Sequence, residues 1–172
     1  MAKTVANKTF SWTLIWIAVA ILAIVGLAFA AQPNSLANQG STQSTANLLI
    51  IDPVSHDFGT ISMADGVVRQ SFSLTNPTAE PMVISLVYTS CMCTEATLTL
   101  NQQTFGPFGM LGHGISPQLK QTLGPNATAT IEVAFDPAAH GPAGVGLIER
   151  ETVIESGGQR LGTISTRANV AP

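Results

Sequence analysis

Two cysteines, the only ones in the chain, stand on either side of a methionine in the segment Cys91-Met92-Cys93. In a β-strand the side chains of residues i and i+2 point to the same face, so both thiols can converge on one atom while Met92 points away. Thiolates bind soft metal cations and also form disulfides. The segment can therefore hold a metal ion, a disulfide or a redox pair.

Two sulfur atoms do not complete a metal site, and two glycine-rich segments, which we expect to form loops, carry further ligands. Residues 105–114, FGPFGMLGHG, contain Met110 and His113, and residues 135–146, FDPAAHGPAGVG, contain His140. In each segment a glycine stands next to the histidine and permits a close backbone approach. Each segment also begins at a phenylalanine that can anchor it in a core.

These residue types suit copper or zinc. Thiolate, thioether and imidazole groups are the ligands that copper takes in proteins, and Zn(II) is satisfied by two cysteines and two histidines. The sequence predicts a copper or zinc site, and its candidate ligands are Cys91, Cys93 and His113, completed by His140 or Met110.

Two other interpretations of the cysteine pair stay open. Cα atoms two residues apart in a strand lie about 6.5 Å from each other, near the upper limit for a disulfide. Such a bond closes a very small ring, adds little stability and is easily reduced, which favours exchange over a structural role. Cysteine is also among the most buried residue types, so the pair can serve packing alone.

The sequence offers little that is typical of an enzyme. It contains no pair of acidic residues in distinct surroundings, no nucleophile-elbow pattern and no cofactor-binding fingerprint. We therefore predict that the chain is not an enzyme and that, apart from a copper or zinc ion, it carries no cofactor.

From Asn47 to Pro172 the pattern is that of short strands separated by turn residues. In GVVRQSFSLTN and ATIEVAFD apolar and polar residues alternate, as in strands with one buried face. MVISLVYTS reads as one central strand, and ETVIES and QRLGTISTR, separated by two glycines, read as a terminal hairpin. The predicted fold class is all-β, an immunoglobulin-like β-sandwich.

The N-terminal part predicts a single membrane crossing. Residues 10–31 are almost entirely apolar, about the 20 residues that a spanning helix needs. Lys3 and Lys8 precede this segment, so the positive-inside rule places residues 1–9 in the cytoplasm and the domain at residues 47–172 on the outer face, periplasmic or extracellular. Residues 32–46 are polar and uncharged and read as a flexible linker. A cleaved secretory signal is the alternative.

The net charge of the chain indicates which classes of partner it can bind. Beyond residue 31 the chain has five basic and ten acidic residues, a net charge of about −5 without a basic cluster. This balance argues against binding to nucleic acid. The predicted partners are the cell membrane, through residues 10–31, and another protein of the cell envelope.

Four segments, in order, resemble the DUF1573 family: HDFGTI, FSLTN, PMVISLVYTSCMCT and LGPNATATIEVAFDP. The resemblance covers about residues 56–156 and implies an immunoglobulin-like domain related in fold to the ASPM/SPD-2/Hydin domains. This chain departs from the family pattern at Met92, where glycine is common, and in the longer segment between Thr94 and Gln121. The family brings little biochemistry, so the function has to be argued from the site.

From these observations we predict a membrane-tethered, extracytoplasmic immunoglobulin-like module that binds or scaffolds a partner. The alternative is a module that binds a soft metal, or exchanges disulfides, through Cys91 and Cys93. The identity of the metal, the partner and the oligomeric state do not follow from the sequence.

Overall fold

In the computed structural model the described residues are Trp16, residues 48–113 and residues 118–172. Within the described residues no helix has the length and apolar character needed to cross a membrane. The predicted cytoplasmic terminus, membrane helix and linker, residues 1–46, lie outside the described part apart from Trp16. The described residues 48–113 and 118–172 belong to one compact unit.

This unit is built from β-strands, so the all-β prediction is confirmed. The strands are β1 (Ile50–Asp52), β2 (Ser55–Ser62), β3 (Val68–Thr75), β4 (Met82–Ile84), β5 (Leu86–Thr89), β6 (Thr94–Leu100), β7 (Gln103–Phe108), β8 (Gln121–Leu123), β9 (Thr128–Phe135), β10 (Gly146–Ser156) and β11 (Gln159–Ala171). Two short 3-10 helices cover Met63–Asp65 and Gly141–Gly144.

The strands form two main sheets. One has five antiparallel strands in the order β1-β3-β9-β6-β7, and the other has four in the order β2-β11-β10-β5. Strands β4 and β8 form a separate two-stranded sheet. In the four-stranded sheet β2 runs parallel to β11, whereas the other neighbours are antiparallel. The architecture is a β-sandwich.

Three sequence predictions about strands are confirmed. In β3 the side chains of Phe72 and Leu74 are buried and those of Arg69 and Ser71 are exposed, as the alternation requires. In β9 the predicted inward residues Ile131, Val133 and Phe135 are buried. The terminal hairpin pairs β10 with β11 around Gly157 and Gly158, whose positive φ angles of 53° and 85° suit glycine.

Two predictions about elements are wrong. Residues 82–90 do not form one strand, because the chain changes sheets at Ser85 between β4 and β5. Ser85 fixes this step, since its amide donates to the Glu155 carbonyl at 2.8 Å and its hydroxyl accepts from the Gly157 amide at 2.8 Å. In addition, residues 105–108 are not loop but belong to β7, which forms a hairpin with β6.

The core consists of two groups of buried side chains. The larger lies between the sheets and includes Phe72, Leu98, Ile131 and Ile154. Each such side chain contributes about 1.5–3 kcal/mol when it is fully buried. The smaller group consists of Ile61, Cys93, Phe135, Ala168 and Val170, with Phe58, Met63 and Cys91 among the partly buried side chains packed against it. The cysteines thus belong to the smaller core group.

Candidate metal and thiol site

Cys91 and Cys93 lie in a tight turn rather than in a strand. The turn connects β5 of one sheet to β6 of the other, and the Thr94 amide closes it by donating to the Cys91 carbonyl at 3.2 Å. The buried Thr89 hydroxyl lies 2.9 Å from the carbonyl oxygens of both Cys91 and Thr94 and stabilises the turn. The expected strand geometry is wrong here, yet the two thiols still converge, and Met92 points to solvent with 57% of its surface exposed.

The two sulfur atoms lie 2.6 Å apart, and both cysteines are free thiols. The Cys93 amide also donates to the Cys91 sulfur at 3.4 Å. Cys93 is buried, with 3% of its surface exposed, whereas Cys91 is half-buried. Cys91 is therefore the more accessible sulfur.

His140 completes a group of three possible ligands. Its Nε2 atom lies 3.1 Å from the Cys91 sulfur. Within residues 48–113 and 118–172, Cys91, Cys93 and His140 are the one set of three cysteine, histidine or acidic residues whose ligand atoms all lie within 4.8 Å. The structure thus brings His140 next to the two predicted cysteines.

Asp136 is the residue that directs the chain toward this position. Its amide donates to the Cys93 carbonyl at 2.9 Å, which fixes the end of β9 beside the cysteine turn. Its carboxylate accepts from the Ala138 amide at 2.9 Å and so shapes the turn before His140. Asp136 is not among the residues predicted from the sequence, although an Asp-Pro pair after a strand is a known turn signal.

Arg150, on β10, is a second residue that the sequence analysis missed. Its Nε atom donates to the Cys93 sulfur at 3.3 Å, and Nη1 donates to the Glu149 carbonyl at 2.7 Å. Its position follows from the sandwich, because β10 and the cysteine turn are 57 residues apart in the sequence. A half-buried guanidinium beside two thiols supplies the positive charge that thiolates require.

These contacts separate the acidities of the two thiols. Burial alone would raise the pKa of Cys91, but hydrogen bonds from the Cys93 thiol and amide and from His140, together with the charge of Arg150, outweigh it and lower this pKa from 9.0 to about 7. Burial and the bond to Cys91 raise the pKa of Cys93, despite Arg150 and Thr94. The pair therefore loses its first proton around neutral pH, and the resulting negative charge is centred on Cys91.

The pKa of Arg150 is raised as well. Burial acts against its charged form, but the hydrogen bond to Cys93 and the negative charge of the two cysteines outweigh burial. Arg150 therefore stays cationic whenever the pair is ionised.

Two of the predicted ligands lie outside this group. His113 is exposed in the turn after β7, where its amide donates to the Met110 carbonyl at 3.2 Å. Met110 is half-buried and its backbone bridges to Thr89, so it adjoins the start of the cysteine turn through the main chain. The described residues thus assemble three of the five candidates as a group.

The two sulfur atoms have to move apart before the group of Cys91, Cys93 and His140 can hold a cation. With metal–sulfur bonds of about 2.3 Å in a tetrahedral site, two bound sulfur atoms lie about 3.7 Å apart. The present 2.6 Å separation has to widen, and the half-buried Cys91 side chain is the one with room to turn. His140, exposed on its loop, is free to follow it.

Residues 49–107 match the model of a family described as "Protein of unknown function (DUF1573)". The match includes Cys91 and Cys93 and ends before His140, so the second glycine-rich segment lies outside it. No curated protein matches the sequence.

Several solved structures have a similar arrangement of strands. A protein of unknown function from Porphyromonas gingivalis W83 is 15% identical, with a TM-score of 0.49, over 74% of this chain and 50% of that one. The YadV chaperone is 8% identical, with a TM-score of 0.42, over 73% and 53%. The ASH/PapD-like domain 7 of human CEP192 is 12% identical, with a TM-score of 0.41, over 73% and 86%. The matched part spans about half the length of the first two proteins.

Proposed function

We propose that this chain is a β-sandwich binding module whose ligand is a soft metal cation, Cu(I) in first place. The observation that carries the proposal is the convergence of Cys91, Cys93 and His140, from two different turns, within 4.8 Å. A second observation supports it, because Arg150 places a cation beside the sulfurs and balances the charge of two bound thiolates.

The ligand set favours Cu(I) over Zn(II). Thiolates bind both cations, but structural zinc sites almost always use four protein ligands, whereas Cu(I) is also stable with three. The described residues offer two sulfurs and one imidazole in this group. Half-burial of Cys91 and exposure of His140 leave one side of the site open to solvent, which suits a site that exchanges its metal.

The test is a titration of the full chain with Cu(I). The protein is purified in mild detergent under reducing, oxygen-free conditions, and Cu(I) is offered in competition with a chromogenic chelator. We expect binding close to one cation per chain, and loss of that binding in the Cys91→Ser/Cys93→Ser double variant. Thermal unfolding of both proteins controls for the fold. If the wild type and the double variant compete equally poorly, the metal proposal is wrong.

The location of the module remains a proposal that rests on the sequence. Residues 10–31 have the length and apolar character of a membrane anchor, and residues 1–9 carry the preceding lysines. We infer that the sandwich acts outside the cytoplasm, where it can meet another protein of the envelope. Protease treatment of intact spheroplasts tests this, because an extracytoplasmic sandwich becomes accessible while a cytoplasmic control protein stays intact.

A further inference from the structure

The two thiols differ in exposure in the way that a pair of exchanging cysteines requires. Cys91 is half-buried and reachable, while Cys93 is 3% exposed and lies directly behind it with its sulfur 2.6 Å away. An external disulfide therefore reaches Cys91 more readily than Cys93. Once Cys91 has reacted, Cys93 is the nearest thiol to the new bond.

We propose that Cys91 and Cys93 form a dithiol that exchanges with small disulfides, with Cys91 as the attacking sulfur and Cys93 as the resolving sulfur. This activity goes beyond metal binding and does not depend on it. Metal-bound thiolates and the Cys91–Cys93 disulfide are alternative states of the same two sulfurs.

The exchange proceeds in two balanced steps. The Cys91 thiolate attacks a disulfide RSSR, forms a mixed disulfide Cys91–S–SR and releases one RS⁻. The Cys93 sulfur then attacks the Cys91 sulfur, forms the Cys91–Cys93 bond and releases the second RS⁻. The dithiol loses two electrons and two protons, RSSR gains them, and two RSH molecules result.

The turn removes the main geometric objection to this bond. In an extended strand the two Cα atoms would lie about 6.5 Å apart, near the limit for a disulfide. The chain instead folds back through the bond from the Thr94 amide to the Cys91 carbonyl, and the sulfurs are already in contact. A bond across so few residues adds little stability, so it forms and breaks readily.

The surroundings provide room for a small disulfide. A cleft of about 640 Å³ is lined by Ser90, which precedes Cys91, and by Arg150, which contacts Cys93. A second, smaller cleft of about 190 Å³ is lined by Met92 and Cys93. The first cleft falls in the range of about 300–1,000 Å³ that is typical of small-molecule pockets, but neither cysteine lines it. It therefore offers room beside the cysteine turn rather than a pocket around the sulfur.

Oxidised glutathione serves as the probe of this activity. The reduced full chain is incubated with it at fixed pH in the presence of a metal chelator, and intact masses are followed over time. We expect the wild type to lose two hydrogens without retaining glutathione. The Cys93→Ser variant is expected to retain one glutathione, located on Cys91 by peptide mapping.

The Cys91→Ser variant is the matched control, since it leaves only the buried thiol. Because access to the sulfur limits the rate of exchange and Cys93 is only 3% exposed, this variant is expected to form its adduct at least about tenfold more slowly than Cys93→Ser. Thermal unfolding verifies that both variants are folded, and Cys93→Ala replaces Cys93→Ser if the serine variant is not.

Three results would overturn the proposal: two thiols that persist in the wild type, a glutathione adduct that the wild type keeps, or equal rates for the two single variants. Since the chelator removes metal, this assay is separate from the Cu(I) titration. If the wild type binds Cu(I) but does not exchange disulfides, the two cysteines form a metal site only. If it exchanges disulfides but does not bind Cu(I), they form a redox-active thiol pair only.

Discussion

Residues 105–114 and 135–146 have similar composition, each with glycines, phenylalanine and one histidine, but the structure uses them differently. The second segment leaves β9 at the buried Phe135, and Asp136 binds the cysteine turn directly. The first segment is β7 as far as Phe108, and its histidine lies exposed five residues later. Composition marks both as candidates. The backbone of the first segment pairs with Thr89, before the cysteines, whereas the backbone of the second binds Cys93 itself and brings its histidine to the sulfurs.

The strongest test of this contrast removes the histidine of each segment separately. His140→Ala is expected to weaken Cu(I) binding by more than about 100-fold, because loss of an outer-sphere partner alone costs about 10–100-fold. His113→Ala should leave the affinity within about twofold of the wild type. Competition titration of both variants measures the difference, and equal losses would mean that the loops do not differ in function.

Removing the Arg150 guanidinium, which contacts the Cys93 sulfur, is expected to have the next largest effect on Cu(I) affinity. Arg150→Met keeps the apolar stem but loses the guanidinium, so two bound thiolates lose their charge balance, and Cu(I) affinity should fall about tenfold. Arg167→Met on the neighbouring strand β11 is the control, since its partner Asp57 forms an exposed ion pair. The same titration applies, and an unchanged affinity in Arg150→Met would remove Arg150 from the site.

The pH dependence of Cys91 reactivity tests the pairing of the thiols. Below a pH of about 7 Cys91 is protonated, and its alkylation rate should rise as the pH passes through about 7. Cys93→Ala removes the hydrogen bonding thiol, so the midpoint should move up toward 9.0 and the rate at pH 7 should fall about tenfold.

The matched control for this profile is Met92→Leu. Its side chain is 57% exposed and makes none of the hydrogen bonds that lower the pKa of Cys91. Alkylation of Cys91 by iodoacetamide, followed by peptide mass spectrometry, gives the profile. A midpoint that is the same in wild type and Cys93→Ala would show that Cys93 does not set the acidity of Cys91.

The smallest expected effect on Cu(I) binding comes from a shift in the position of His140. A Cβ added at Gly144 would lie 3.1 Å from the His140 Cβ, so Gly144→Ala should displace the histidine and weaken Cu(I) binding a few-fold. Gly109→Ala, in the first segment, meets no atom within 4 Å and should change nothing. If both variants bind equally well, the position of His140 tolerates this displacement.

Much of the fold follows from local pattern, whereas its connections do not. The alternation in β3 and β9 and the glycine turn of the last hairpin are local signals, and all three appear as expected. The step at Ser85 was not predictable, because a single serine is the only polar residue between Met82 and Tyr88 and the segment contains no glycine or proline. Its cause is a set of hydrogen bonds to residues about 70 positions away.

In the candidate site, too, some relations follow from the local sequence and others from contacts between distant segments. The sequence by itself determined that Cys91 and Cys93 lie near each other, because residues two positions apart in the chain cannot be far apart. The turn closed by the Thr94 amide then brings their sulfur atoms together. Only the tertiary structure decided that His140 joins them, that His113 does not, and that Arg150 stands behind Cys93. Those relations depend on hydrogen bonds between distant segments and on the packing of two sheets, and neither follows from residue types or spacing.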